Sequence, residues 1–184
     1  MFEHVNGLAG HAAWLDGLLT FFTRYGPYVF IAAFVVAWFW PGSPARRERW
    51  QIAAIIAAVG VLLALGLNQV IIHLWARPRP FVGHPALLLV SASHDSSFPS
   101  DHSTFVFAAA IGLLMANRRI GMAALVLAAL VAFSRVYVGA HYATDVAAGA
   151  AIGCAAVLIV HSQRGHIARV AEPVLRRARR VHLA

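Results

Sequence analysis

The chain has 184 residues, of which 60% are hydrophobic and only 12% charged, about half the charged share of an ordinary soluble domain. Its mean hydropathy of +0.71 excludes a water-facing globule and points to an all-α, polytopic transmembrane helix bundle, read as one domain over residues 1–184. The formal charge of +8 comes entirely from arginine, 15 residues against seven acids, in short clusters between apolar runs; with no basic face on a polar domain, this argues against nucleic acid as a partner and for membrane topology.

In chain order, residues Met1–Gly10 hold no basic run, so a cleaved signal peptide is not expected. From Leu8 to Tyr25 the chain carries Trp14, Leu15, Leu18, Leu19, Phe21 and Phe22 but also Asp16 and Arg24. That pattern is short and amphipathic, and it predicts an N-terminal interfacial or re-entrant helix within residues 1–26. Four apolar stretches suit membrane spans of about 20 residues: Pro27 to Trp40, with a start nearer Phe21 as the alternative; Gln51 to Trp75; Ile120 to Tyr137; and Thr144 to His161. A fifth, His102 to Met115, is shorter and is expected to be partly buried in protein, which makes about five spans. Trp38 and Trp40 suit an interfacial belt, and Trp14, Trp50 and Trp75 are read as further interface anchors. Gly149 and Gly153 form a small-xxx-small pair, expected to pack within the bundle, with a homodimer seam as the alternative. The single cysteine, Cys154, allows neither an intrachain disulfide nor a cysteine-built metal site. Residues 164–184 form a basic tail, read as cytoplasmic, that ends the last span and can rest on anionic lipid.

Arginine also orders the spans. If Arg46, Arg47 and Arg49 face the cytoplasm, five spans put Arg118, Arg119 and the tail arginines on the same side, 11 of the 15 in all. Of the other four, Arg77, Arg79 and Arg135 lie in polar islands on the opposite side, and Arg24 lies in none.

Those islands are Arg77-Pro78-Arg79-Pro80-Phe81, Ser97-Phe98-Pro99-Ser100-Asp101-His102, and Ser134-Arg135 followed by His141 and Asp145. Ionisable residues converging at membrane ends mark a functional site. His141 and Asp145 are four apart, so on a helix they would share a face, and the carboxylate could fix the imidazole tautomer and leave its other nitrogen nucleophilic. Arg135 can hold two phosphoryl oxygens. Ser100 suits an N-cap, and the amides of Asp101 and His102 behind it would make an anion site at the helix start. His102 could supply a proton to a leaving oxygen. Prolines stiffen the segment that offers Arg79 and Arg77. Each island alone also fits a plain structural reading: an ion pair, a capped helix, an interfacial loop. Together they supply what phosphoryl transfer needs: fixed donors, a nucleophile and an acid. No carboxylate cluster has metal-ligand spacing, so neither a metal nor another cofactor is expected. His73, His84 and His94 are read as polar loop residues.

These residues resemble the signature of the type 2 phosphatidic acid phosphatase superfamily: a lysine, six residues and Arg-Pro; then Pro-Ser-Gly-His; then Ser-Arg, five residues, His, three residues and Asp. Arg79-Pro80, Pro99-Ser100-Asp101-His102 and the complete third motif from Ser134 to Asp145 carry it. The resemblance implies His141 as nucleophile, Asp145 as its orienter, His102 as acid and base, and Arg79, Ser100 and Arg135 as phosphate ligands. Two positions depart from it. The lysine position is Ile72, for which Arg77, or less readily His73, would compensate, and the glycine is Asp101. Asn68-Gln69, Arg-Pro-Phe and Phe-Pro-Ser-Asp-His make the chain similar to the bacitracin-resistance branch of undecaprenyl-diphosphate phosphatases. That branch implies hydrolysis of an isoprenoid diphosphate lipid through a phosphohistidine, on the outer face of a bacterial plasma membrane, recycling the cell-wall lipid carrier. The alternatives kept open are a phosphatidate or phosphatidylglycerol phosphate phosphatase and a non-catalytic lipid-binding protein.

Overall fold

A computed structural model describes residues 2–39 and 42–180, with side chains through residue 177. Trp40, assigned above to the interfacial belt, lies outside the described residues, as do residues 181–184 of the tail. Among the described residues, eight helices follow in order: α1 (Phe2–Asn6), α2 (Ala13–Trp38), α3 (Pro44–Leu74), α4 (Pro80–Gly83), α5 (Asp101–Ala116), α6 (Arg118–Tyr137), α7 (Ala143–Ser162) and α8 (Arg164–Arg180). No strand occurs among the described residues. Helices α2, α3, α6 and α7 are long and apolar enough to cross a membrane.

The shorter α5 is the centre of the bundle. It packs against α2, α3, α6 and α7. Val106, Ala108, Ala110 and Leu113 are buried, and alanines and Gly112 let neighbouring backbones approach closely. Its 16 residues give a rod of about 24 Å, short of a hydrocarbon core of about 30 Å. A helix sheathed in protein need not reach the headgroups itself.

Helix α2 corrects the reading of the first 26 residues. The amphipathic segment and the first span are one helix that runs through Gly26-Pro27 without a break. Asp16 and Arg24 had suggested a surface segment. Asp16 instead sits in the first turn of α2, where its carboxylate accepts from Gly10 N (3.1 Å and 3.2 Å) and from the Tyr137 hydroxyl (2.8 Å). Gly26 lies against Val131 with no room for a Cβ, so α2 and α6 touch there. Helix α3 also begins earlier than expected, at Pro44 rather than Gln51, with Ser43 capping Arg46 N and Pro44 in the first turn. Trp50 is corrected too: it is 8% exposed within the bundle core, whereas Trp14 and Trp75 are exposed as anchors should be.

The arginine clusters gather at one end of the bundle. Asn117 caps α6 by accepting from Arg119 N and Ile120 N, making a one-residue turn from α5. One hollow joins Arg46 and Arg49 to Asn117, and another joins Arg49 to His161 and Arg164. The three motif islands lie at the opposite end. Asn6 of α1 is strapped to that end, donating to Leu87 O (2.9 Å) and Tyr137 O (2.8 Å) and accepting from Leu87 N (3.0 Å).

Candidate active site

His141 is not on α7. It sits in the turn between α6 and α7, two residues before the helix, so the expected helix-face pairing with Asp145 does not occur. A left-handed residue, Gly139 (φ 79°), closes the end of α6. The turn lets Ala140 N and His141 N both donate to Arg135 O, at 3.1 Å and 3.2 Å. Backbone bonds thus fix His141 beside Arg135.

The partner of the imidazole is a backbone carbonyl. Nδ1 of His141 donates to Ser97 O at 2.8 Å, whereas Asp145 Oδ2 stands 3.9 Å away. Asp145 acts one step removed. It is fully buried, and Oδ2 accepts from Ser97 Oγ (2.6 Å) and Tyr142 N (2.9 Å). The carboxylate therefore holds the residue whose carbonyl orients the histidine. With Nδ1–H committed to Ser97, Nε2 carries the free lone pair. Burial first, then the positive charges of Arg135 and Arg79, hold the His141 pKa well below its ordinary value, and the bond to Ser97 opposes them.

Two cavities meet at this histidine's neighbours. One, of about 460 Å³, is lined by Ile72, Arg79, Asp101, His102, Arg135 and His141. The other, of about 560 Å³, shares Arg79, His102 and Arg135 and adds Arg24, Thr20 and Phe81. Arg79 Nη1 lies 3.4 Å from His141 Nε2 and donates to Ala140 O (3.1 Å), while Nε donates to Asp95 O (3.0 Å). The Arg135 side chain is 7% exposed and makes no hydrogen bond or ion pair among the described residues, with Nε fully enclosed. A buried guanidinium without a partner is costly, so the site is built to take an anion.

The second island behaves as its sequence suggests at the helix start. Ser100 is the N-cap of α5, accepting from Ser103 N at 3.5 Å; it is fully buried, and its own N–H donates to Asp145 O at 3.1 Å. Ser100 lines neither cavity, whereas Asp101 and His102 do. Asp101 has a donor: Asn68 of α3 gives Nδ2–H to its carboxylate at 2.7 Å, and also to Thr104 Oγ1 at 2.9 Å. That bond draws the carboxylate toward α3.

Arg77 is placed differently from the lysine replacement expected of it. Nη1 bonds Asp145 Oδ1 and Thr144 Oγ1, both at 2.7 Å, and the guanidinium lies 4.1 Å over the Tyr142 ring. It lines neither cavity. His73 bonds Gln69 O within α3, and Ile72 itself lines the cavity. Ser97, Asn68 and Arg24 also belong to the site, although their sequence pattern does not reveal what each does there. A lone arginine inside an apolar helix was a signal for the last of these. Among the described residues, no group of three or more His, Cys, Asp or Glu could hold a metal ion.

A family model described as the PAP2 superfamily matches residues 50–168. The chain belongs to this superfamily. It is 32% identical to undecaprenyl-diphosphatase BcrC of Bacillus subtilis over 79% of this chain and 73% of the relative. It is 37% identical to decaprenylphosphoryl-5-phosphoribose phosphatase of Mycobacterium tuberculosis over 66% of this chain and 65% of that one. The fold matches the crystal structure of Aquifex aeolicus LpxE with a TM-score of 0.72 at 23% identity, covering 88% of this chain and 92% of the other. Helices of membrane-crossing length and the family match together make this a multi-pass membrane bundle of the PAP2 superfamily, with its three motifs brought to one end.

Proposed function

We propose that this protein hydrolyses undecaprenyl diphosphate to undecaprenyl phosphate and orthophosphate on the outer face of a bacterial plasma membrane. The observation that carries this reading is the buried, unpartnered Arg135 beside Arg79, with His141 Nε2 on one side and His102 lining both cavities. PAP2 membership and the BcrC relative support a lipid phosphatase and the choice of diphosphate.

The residues divide the chemistry as follows. Arg79, Arg135 and the amides at the start of α5 hold the terminal phosphoryl oxygens. His141 Nε2 attacks the terminal phosphorus, an N–P bond forms, and the bridging P–O bond breaks. The lipid phosphate departs, with His102 as the acid for the leaving oxygen. The phosphorylated imidazole is positive, and the Asp145 carboxylate 3.9 Å from Nδ1 offsets that charge. His102 then takes a proton from water, whose oxygen attacks phosphorus and breaks the N–P bond, releasing orthophosphate. Ser97, Asp145 and Arg77 form the chain that positions His141.

The test is phosphate release by the purified protein in detergent with EDTA present, comparing undecaprenyl diphosphate, phosphatidate and phosphatidylglycerol phosphate. Preference for the diphosphate is expected. Preference for a glycerolipid would overturn the substrate but keep the histidine chemistry, and no release from any would remove the enzymatic reading.

A further inference from the structure

Arg24 is outside every motif and outside the residues that the PAP2 family model matches. It nonetheless lines the larger cavity with Arg79, Arg135 and His102, as an exposed residue whose side chain makes no hydrogen bond or ion pair among the described residues. Its placement is fixed by the bundle. Thr23 Oγ1 and Ser134 Oγ are 2.7 Å apart and buried, and this bond pins α2 to α6. The next residue on each helix is an arginine, Arg24 on one and Arg135 on the other, and both face the cavity. The contact of Gly26 with Val131 holds the helices together one turn farther on.

Arg24 lies about 17 Å along α2 from its first residue, inside a helix apolar enough to span the membrane. An arginine inside a membrane-spanning helix is expensive unless it faces a polar cavity or an anion. The two cavities are also unequal. His141 lines the smaller one and is absent from the larger, which holds Arg24. In-line displacement sends the leaving group away from the nucleophile. The leaving group therefore departs into the cavity of Arg24, past His102. Phe81, Leu88, Leu89 and Val90 give that cavity an apolar wall along which an isoprenoid could run.

We infer that Arg24 binds the lipid-proximal phosphate of a diphosphate substrate, the phosphate that leaves with the lipid, and so selects diphosphates over monophosphates. This rests on the phosphatase reading above and adds to it the residue that recognises the second phosphate. It also accounts for the missing cation: Ile72 removes a charge on the α3 side of the smaller cavity, and Arg24 supplies one from α2 on the leaving-group side. A guanidinium suits the task because it forks onto two phosphate oxygens and stays charged in a largely apolar setting.

The experiment measures kcat/KM for farnesyl diphosphate and the inhibition constant of orthophosphate, which fills only the site of the reacting phosphate, in wild type, Arg24→Gln and Arg24→Lys. Arg24→Gln should lose roughly 10- to 100-fold in kcat/KM, the effect of removing one charge-assisted contact. Its orthophosphate inhibition constant should stay within about threefold of wild type, because Arg79 and Arg135 are untouched. Arg24→Lys should recover part of the loss. An unchanged kcat/KM in Arg24→Gln would overturn the inference, as would an orthophosphate constant that rises in parallel, since that would mean damage to the whole site. A wild-type protein inert toward lipid diphosphates but active on monophosphates would overturn the substrate reading and this inference with it.

Discussion

His141 and Arg79 are held by backbone carbonyls that do no chemistry, those of Ser97, Asp95 and Ala140, and the consequences can be measured one residue at a time. His141→Ala removes the nitrogen proposed as the nucleophile, and turnover should fall by roughly 10⁴-fold or more. Substantial remaining activity would sink the phosphohistidine route. Asp145→Asn keeps the volume but puts an amide between Ser97 Oγ, Tyr142 N and Arg77, all of which donate to the present carboxylate. The His141 site should loosen and kcat fall by roughly 10²- to 10⁴-fold, while orthophosphate still binds; an unchanged kcat would remove Asp145 from the positioning chain. The pH profile follows from the His141 pKa, which is lowered by burial first and by Arg135 and Arg79 next. The reactive form is neutral, so a lowered pKa keeps it reactive at more acid pH. The acid limb of kcat/KM due to His141 should therefore lie well below pH ~6.5, the ordinary histidine value. Arg135→Gln removes one positive neighbour, so the limb should move up in pH; a wild-type limb at the ordinary value, or a downward move, would contradict the electrostatics. The sequence made the identities of these residues legible because phosphoryl transfer restricts the residue types. It did not make the wiring legible. Four-residue spacing suggested that Asp145 touches His141 directly, but His141 lies in the turn before α7, and the Ser97 carbonyl takes the place in between.

At the scale of elements, small residues decide how closely the helices meet. Gly149 of α7 lies against Ser100 O and Thr104 Oγ1, and Gly153 lies against Thr104 O and Ala108 N, so both serve the α5–α7 contact inside the bundle. A leucine at Gly153 would push α7 off the helix that carries His102. That should cost about 1–3 kcal/mol in packing, or a melting temperature lower by roughly 2–12 °C for a chain this size, measured in detergent. An unchanged melting temperature would show that α7 does not rest on α5 as described. Much of the helical order was legible because apolar runs of membrane length are hard to mistake. The exception is instructive. Asp16 and Arg24 looked like marks of a surface helix because a one-dimensional pattern cannot show partners. Asp16 is satisfied by Gly10 and Tyr137, and Arg24 faces a cavity, so α2 runs on through Pro27. Trp50 differs for a related reason: an aromatic near a span end suits a headgroup belt, but here it fills the core beside α5 and α6.

At the scale of the whole molecule, the two ends of the bundle differ in what charge does there. At one end Arg46, Arg49 and Arg164 flank hollows between helix turns. At the other, Arg79 and Arg135 are buried around the candidate site. Arginine clusters in short loops stay on the cytoplasmic side during insertion, whereas buried functional arginines contribute little to that bias. The bundle should therefore insert with the arginine clusters inside and the site outside. Cys154 is the single cysteine, so Cys154→Ser provides a background without thiols. On that background His84→Cys reports the site end and Gln163→Cys the opposite end; both native residues are exposed, the first after α4 and the second between α7 and α8. A membrane-impermeant maleimide added to intact cells should label position 84 and spare position 163, and permeabilisation should expose both. The reverse pattern would place the site on the cytoplasmic face and end the carrier-recycling reading, because a diphosphate released outside could not reach it without first being flipped. If the expected pattern holds, Arg24 faces a cavity in the outer half of the membrane. A lipid diphosphate could then enter with its tail still in the outer leaflet and only its two phosphates drawn inward between Arg24 and Arg135.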